Sequence, residues 1–216
     1  MRVRSGLRVA LTVGLIALVV STFALSATAA NPTDTKWKTA TIKAAGLSLR
    51  YPSTWTRYTL TKKALAAEQR KGAKMNPQLA MTPAEQAQFL KRVVFYAADL
   101  VAALAGRLES NINVQKIANG RFPSSLDEFT SGITPGLKQE GATVLNTSAV
   151  RIGGKQSFRV DFLLPVKAAD GSSVVSRIGQ LLVPYGRGGD VMTVGTTADD
   201  IGAQLINRVL GSVHRT

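Results

Sequence analysis

The sequence predicts an α+β fold, a mostly antiparallel β-sheet flanked by α-helices, and three observations predict it. Segments of alternating apolar and polar residues recur between residues 36 and 196, joined late in the chain by glycine-rich turns short enough to link antiparallel neighbours. Two capping boxes, Thr82-Pro83-Ala84-Glu85 and Ser125-Leu126-Asp127-Glu128, open helical segments between those strands. The chain closes on an amphipathic stretch where Ile201, Leu205, Val209 and Val213 recur at helical spacing, with Ile206 and Leu210 beside them.

Residues 36–43 (KWKTATIK) alternate and are rich in threonine, which marks a strand. Gly46 breaks it, and residues 47–51 alternate again until Pro52, which cannot donate to a ladder. Trp55 and Tyr58 fall on a further extended piece. Residues 62–71 (KKALAAEQRK) are good helix formers ending at Gly72, so a short helix is expected there. Thr82 caps the next helix, Pro83 takes its first position, and it runs to about Lys91. Residues 93–99 (VVFYAAD) leave two readings open. They extend that helix through Leu104, or they form a buried strand, which their β-branched and aromatic content favours.

Residues 111–117 (NINVQKI) alternate cleanly as a strand with its aliphatics inward. The box at Ser125 opens a helix toward Gly141, which Pro135 and Gly136 are expected to interrupt. Strands follow over 143–151, 156–165, 174–184 and 190–196, with turns at Gly153-Gly154, Asp170-Gly171 and Gly186-Arg187-Gly188-Gly189. Thr197 or Thr196 is expected to cap the last helix, with Asp199 and Asp200 in its first turn, where the helix dipole favours acids. That helix is expected to dock on a single sheet.

The domain organisation read from the sequence is a signal peptide over 1–29, a polar linker over 30–36 and one domain over 37–216. Arg2, Arg4 and Arg8 precede an uncharged, mainly apolar run from Val9 to Leu25, followed by Ser26-Ala27-Thr28-Ala29-Ala30. This is a basic region, a hydrophobic region and a small-residue cleavage site, and cleavage is expected after Ala29. The alternative is an uncleaved anchor, since the 22 residues from Val9 to Ala30 carry no charge and can span a bilayer. Both place the remainder outside the cytoplasmic membrane, secreted or in the cell envelope. The chain has no cysteine, so disulfides, thiolate metal sites and a lipid-modified cysteine are excluded.

The formal net charge is +14, and loss of the signal segment removes three arginines and no acid, leaving about +11. Such an excess favours contact with polyanions. Nucleic acid is not expected as the partner of an exported protein. The polyanions expected outside are acidic lipid headgroups and wall polymers. A basic surface also simply keeps an exported protein in solution, and both readings of the charge stand.

Several motifs, in order and spacing, resemble the PsbP-like α/β/α sandwich superfamily, and within it the secreted bacterial branch. Leu47-Ser48-Leu49-Arg50-Tyr51-Pro52-Ser53-Thr54-Trp55 looks like that family's strand followed by Tyr-Pro-x-x-Trp. Ser110-Asn111-Ile112-Asn113-Val114 looks like its Asn-x-Asn-Val strand, and the stretch from Gly153 to Asp161 is similar to one of its hairpins. Val209-Leu210-Gly211-Ser212-Val213 is similar to the end of its closing helix. The resemblance spans most of residues 39–213, while 61–107 is longer than the family pattern and the lipid-attachment cysteine of many secreted relatives is absent. It implies the sandwich fold and a tendency to be non-catalytic, with partners that differ from branch to branch.

No catalytic constellation, metal site or cofactor motif is read from the sequence. The only histidine, His214, lies two residues from the end, where termini fray, and a lone histidine makes neither a triad nor a three-ligand zinc site. Asp199-Asp200 and Asp127-Glu128 are explained by capping. Gly186-Arg187-Gly188-Gly189 lacks the following Lys-Ser/Thr and helix of a phosphate loop, so it is expected to be a hairpin turn. Trp37 and Trp55, near strand ends, are expected to seal the core.

The candidate anion-binding residues are Lys62, Lys63, Arg70, Lys71 and Lys74, of which Lys63, Arg70 and Lys74 share a face if the helix extends. The alternative is a solvated helix face. The function expected is that of an exported, non-catalytic binding or accessory protein of the cell envelope, whose partner is a protein or an anionic envelope component. Two alternatives remain: an envelope carrier of a small apolar ligand or lipid, which needs an aliphatic-lined cleft, and an enzyme of unidentified type.

Overall fold

The structure, a computed structural model, describes residues 36–64, 82–99, 110–117, 120, 122–167 and 173–216. The segment read as a signal peptide, the linker up to residue 35, Arg70, Lys71, Lys74 and the Asp170-Gly171 turn lie outside the described residues.

Among the described residues the strands form two antiparallel sheets rather than the single sheet expected. The smaller holds β1 (Trp37–Ile42), β2 (Leu47–Pro52) and β10 (His214–Arg215) in the order β1-β2-β10. The larger is built from β3 (Thr56–Arg57), β4 (Val93–Ala98), β5 (Asn111–Ile117), β6 (Thr143–Ile152), β7 (Lys155–Lys167), β8 (Ser173–Tyr185) and β9 (Gly188–Thr197). Its order is β3-β4-β5-β9-β8-β7-β6. Three helices frame it, α1 (Pro83–Arg92), α2 (Leu126–Gln139) and α3 (Asp200–Gly211), and residues 62–64 are also helical.

The split into two sheets follows from where apolar faces meet. Leu47, Leu49 and Tyr51 of β2 pack with Leu205, Ile206 and Val209 of α3 and with Phe95, Ile112, Val114, Leu181, Met192 and Val194 from the large sheet. The small sheet and α3 therefore cover one face together. The other face meets α2, whose Phe129, Ile133 and Leu137 join Phe158, Val160, Phe162, Ile178 and Leu182. The Phe129 and Phe158 rings stack with centroids 5.2 Å apart. Alternation along β8 and β9 decides which core each residue joins: Leu181 and Met192 enter the first, Leu182 and Val191 the second.

Residues 93–98 are a strand, which resolves the open reading against helix extension. α2 runs through Pro135 without interruption. Proline there removes one backbone hydrogen bond, but Phe129, Ile133 and Leu137 are buried on both sides of it and hold the helix on the sheet. Ser125 caps α2 by accepting from the Glu128 amide at 3.1 Å, while the Glu128 carboxylate accepts from Ser124. Pro165 and Pro184 sit inside strands, each beyond the last residue pair with one neighbouring strand, so neither interrupts a ladder on that side.

Asp199, not Thr197 or Thr196, caps α3. Its carboxylate accepts from the Gly202 amide at 2.7 Å and from the Thr197 hydroxyl at 2.8 Å. A carboxylate at this position also faces the positive end of the helix dipole, which a threonine hydroxyl does not exploit. The stripe expected from the sequence is buried: Leu205, Ile206, Val209, Leu210 and Val213 all lie inside, with Ile201 at the margin. Leu205→Ala is expected to cost about 2–3 kcal/mol, the lower part of the usual range, because the site borders solvent and can partly relax. Urea denaturation monitored by circular dichroism measures it.

His214 is not on a frayed end. Ser212 accepts from the Arg50 amide at 2.8 Å and donates to the Val209 carbonyl at 2.7 Å, which steers the chain off α3 onto β2. His214 and Arg215 then pair with Ser48 and Leu47. Trp55 is buried in the core as expected, and Trp37 packs at its edge beneath the Arg208 guanidinium, 4.4 Å from the ring centroid.

Candidate functional site

Lys62 and Lys63 are exposed at the start of a helical turn. The other three cations of the cluster proposed from the sequence lie outside the described residues, so the shared helix face is not described. The cations that the fold does bring together are different ones: Lys116, Lys155 and Arg215, spread over a hundred residues of sequence.

They line an open pocket of about 430 Å³. Its wall is assembled from five segments: Ala44, Ala45 and Gly46 in the β1–β2 turn, Lys116 near the end of β5, Gly153 and Lys155 in the β6–β7 hairpin, Tyr185 at the end of β8, and Arg215 on β10. Each arrives there for a local reason. Gly46 and Gly153 carry positive φ of 60° and 57°, conformations that glycine takes without strain. A Cβ on Gly153 would lie 2.5 Å from Arg215 Cγ, so this glycine also makes room for the arginine's stem.

Arg215 is held on three sides. Its Nη1 donates to the Ala45 carbonyl at 3.1 Å, its Nη2 to the Pro184 carbonyl at 3.3 Å, and its guanidinium lies 5.0 Å from the Tyr185 ring centroid. Lys116 Nζ approaches the same ring at 6.0 Å. Tyr185 is thus shared by two cations, and its ring stabilises both. Two carbonyl bonds leave the guanidinium with further donors, since it carries five N–H groups.

Next to the pocket's Lys116, on the adjacent strand β9, lies Asp190. In the ladder it stands opposite Lys116 on one side and Val183 on the other. Its side chain is inaccessible to solvent, and neither carboxylate oxygen has a hydrogen-bond partner. Burial pushes its carboxyl up from an ordinary 3.8 to about 7, against the opposing pull of Arg215 and then Lys116.

Sequence reasoning missed this site because no two of its cations are neighbours in the chain. A signal was nonetheless present. Lys116 follows Ile112 and Val114 at alternate positions, and Asp190 precedes Met192 and Val194 in the same way. Both are charges written into the inward-facing register of a strand.

The remaining acid candidates have structural duties: Asp199 caps α3, and Asp127 and Glu128 fall in the first turn of α2. His214 is exposed, its Nδ1 3.0 Å from the Ser212 carbonyl. Among the described residues no group of three or more His, Asp or Glu side chains is placed to hold a metal ion.

No family model matches the chain, and no curated protein matches it. Among solved structures, cyanobacterial PsbP (CyanoP) from Synechocystis sp. PCC 6803 is similar over 88% of this chain and 98% of that one, at 14% identity and a TM-score of 0.47. The Saccharomyces cerevisiae Ran-binding protein Mog1p is similar over 84% and 96%, at 11% identity and 0.48. Mycobacterium tuberculosis LpqN, involved in cell envelope biogenesis, is similar over 85% and 86%, at 11% identity and 0.41. The chain spans 64% of the length of another match, a Pseudomonas aeruginosa protein of unknown function. The α+β architecture stands on this chain's own strands and register, and what those proteins bind is a property of theirs.

Proposed function

We propose that this protein is an exported, non-catalytic binding or accessory protein of the cell envelope that holds an anionic group in the pocket formed by Lys116, Lys155, Tyr185 and Arg215. One observation carries the reading: three cations converge on an open cavity, and one of them is braced by two carbonyls, an aromatic ring and a glycine. Such bracing lowers the conformational cost of binding, which an unrestrained surface lysine meets in full. The excess positive charge and the N-terminal export segment support an envelope polyanion, either an acidic lipid headgroup or a wall polymer. An apolar carrier calls for an aliphatic-lined cleft, whereas this pocket presents cations, so the carrier reading is the weaker one.

Co-sedimentation with phosphatidylglycerol and phosphatidylcholine vesicles, and with isolated acidic wall polymer, tests the reading. Binding to the anionic material is expected to fall steeply with salt. The double variant Lys116→Gln, Lys155→Gln is expected to bind about 30-fold more weakly, taking about 1 kcal/mol for each charge near an anionic surface. The Lys62→Gln, Lys63→Gln pair is expected to change binding much less. The reverse order of effects would return the function to the basic helix, and undiminished binding by both double variants would count against either surface.

A further inference from the structure

The Asp190 carboxylate is buried, both its oxygens lack hydrogen-bond partners, and it stands opposite Lys116, one of the cations that line the pocket. Resting on the function proposed above, we propose that the pocket takes an oxyanion of the phosphate or sulfate type, together with a proton that Asp190 accepts. The charge count sets the class. Lys116, Lys155 and Arg215 supply three positive charges, and once Asp190 is protonated none of them is offset, so the ligand class is an oxyanion.

The coupling follows from position. The charged groups that act on Asp190 are Arg215 on β10 and Lys116 on β5, while Lys155 of the β6–β7 hairpin and Tyr185 of β8 line the same pocket. The β1–β2 turn brings Ala44, Ala45 and Gly46, none of which titrates. Lys116 and Arg215 are what keep Asp190 from rising further. An anion docked on them cancels that support and adds its own repulsion, so the carboxylate gains affinity for a proton. By linkage, whatever raises proton affinity on binding makes binding tighter where the proton is available. The proton comes from solvent and goes to a carboxylate oxygen of Asp190, no covalent bond to the anion is made, and acid conditions favour the complex.

Sulfate is the probe, since it stays a dianion across the range. Titration of the protein from Ala30 to Thr216, followed by NMR at constant ionic strength, is expected to give about tenfold tighter binding at pH 5.5 than at pH 8.5, the effect of a one-unit rise in the Asp190 value on binding. Calorimetry at pH 7.5 in buffers of different ionisation enthalpy is expected to show net proton uptake by the wild-type protein. Asp190→Asn is expected to bind equally at both pH values, at about the wild-type acid-side strength. Saturable sulfate binding in the pocket with equal affinity at both pH values, or no proton uptake, would overturn the coupling and leave the pocket standing. A pH dependence that survives Asp190→Asn and vanishes in His214→Gln would overturn it as well. Absence of any saturable sulfate response at either pH would overturn the pocket reading itself.

Discussion

Replacing Gly202 with alanine is expected to destabilise the protein by about 3 kcal/mol or more, at or beyond the upper end of ordinary overpacking. A Cβ at this position would lie 2.1 Å from the Thr197 carbonyl oxygen and 2.9 Å from Thr196 Cγ2. The first of these is backbone in the strand that leads into the helix, so no side-chain rotation relieves it. The helix would have to lift, which breaks the 2.7 Å bond from the Gly202 amide to Asp199 and drags Leu205, Ile206 and Val209 out of the core. Gly132 in α2 is the control. Nothing lies within 4 Å of its Cβ position, and Gly132→Ala is expected to stabilise by about 0.5–1 kcal/mol through helix propensity alone. Urea denaturation of both variants beside the parent measures the contrast.

Asp190→Asn is expected to stabilise the protein above neutrality by up to roughly 4 kcal/mol, the free energy of moving a carboxyl from 3.8 to about 7. The folded-state value lies above the unfolded one. Between pH 4 and 7 the folded chain therefore keeps a proton that the unfolded chain has released. Stability falls as pH rises through that window, and the full penalty is present above about pH 7. Asparagine carries no such penalty. The two proteins are expected to have equal stability near pH 4 and to diverge as pH rises, which thermal melts across pH 4 to 8.5 record. Parallel curves at all pH values would mean that the carboxylate is solvated in the folded protein.

Much of the fold was legible because strand alternation and glycine turns are local signals. Thr143–Ile152, Lys155–Lys167, Ser173–Tyr185 and Gly188–Thr197 lie within a few residues of the runs the alternation marks. Gly153 and Gly154 take the positive φ that a tight hairpin asks of them. Two features were hidden. Alternation shows which residues face inward and not which sheet they face, so the division between β2 and the large sheet left no trace in the pattern. The final strand is two residues long and polar, and what makes it a strand is its pairing with Ser48 and Leu47, far back in the chain.

The site was less legible than the fold for the same reason. A run such as Lys62 to Lys74 announces itself along the chain, whereas Lys116, Lys155 and Arg215 meet only once the two sheets have packed. Arg215 reaches the pocket because β10 exists, and β10 was the element hardest to foresee. The inward register of Lys116 and Asp190 was the one local trace of the pocket, and it is a trace of strain rather than of chemistry.

The most direct test of the account is a residue-resolved titration of the protein with glycerol 1-phosphate, a soluble phosphate ester that presents the oxyanion assigned to the pocket. The account predicts saturable amide and side-chain shifts at residues 44–46, Lys116, 153–155, Tyr185 and Arg215, with Lys62 and Lys63 unmoved. Shifts centred on Lys62 and Lys63, with the pocket silent, would contradict it.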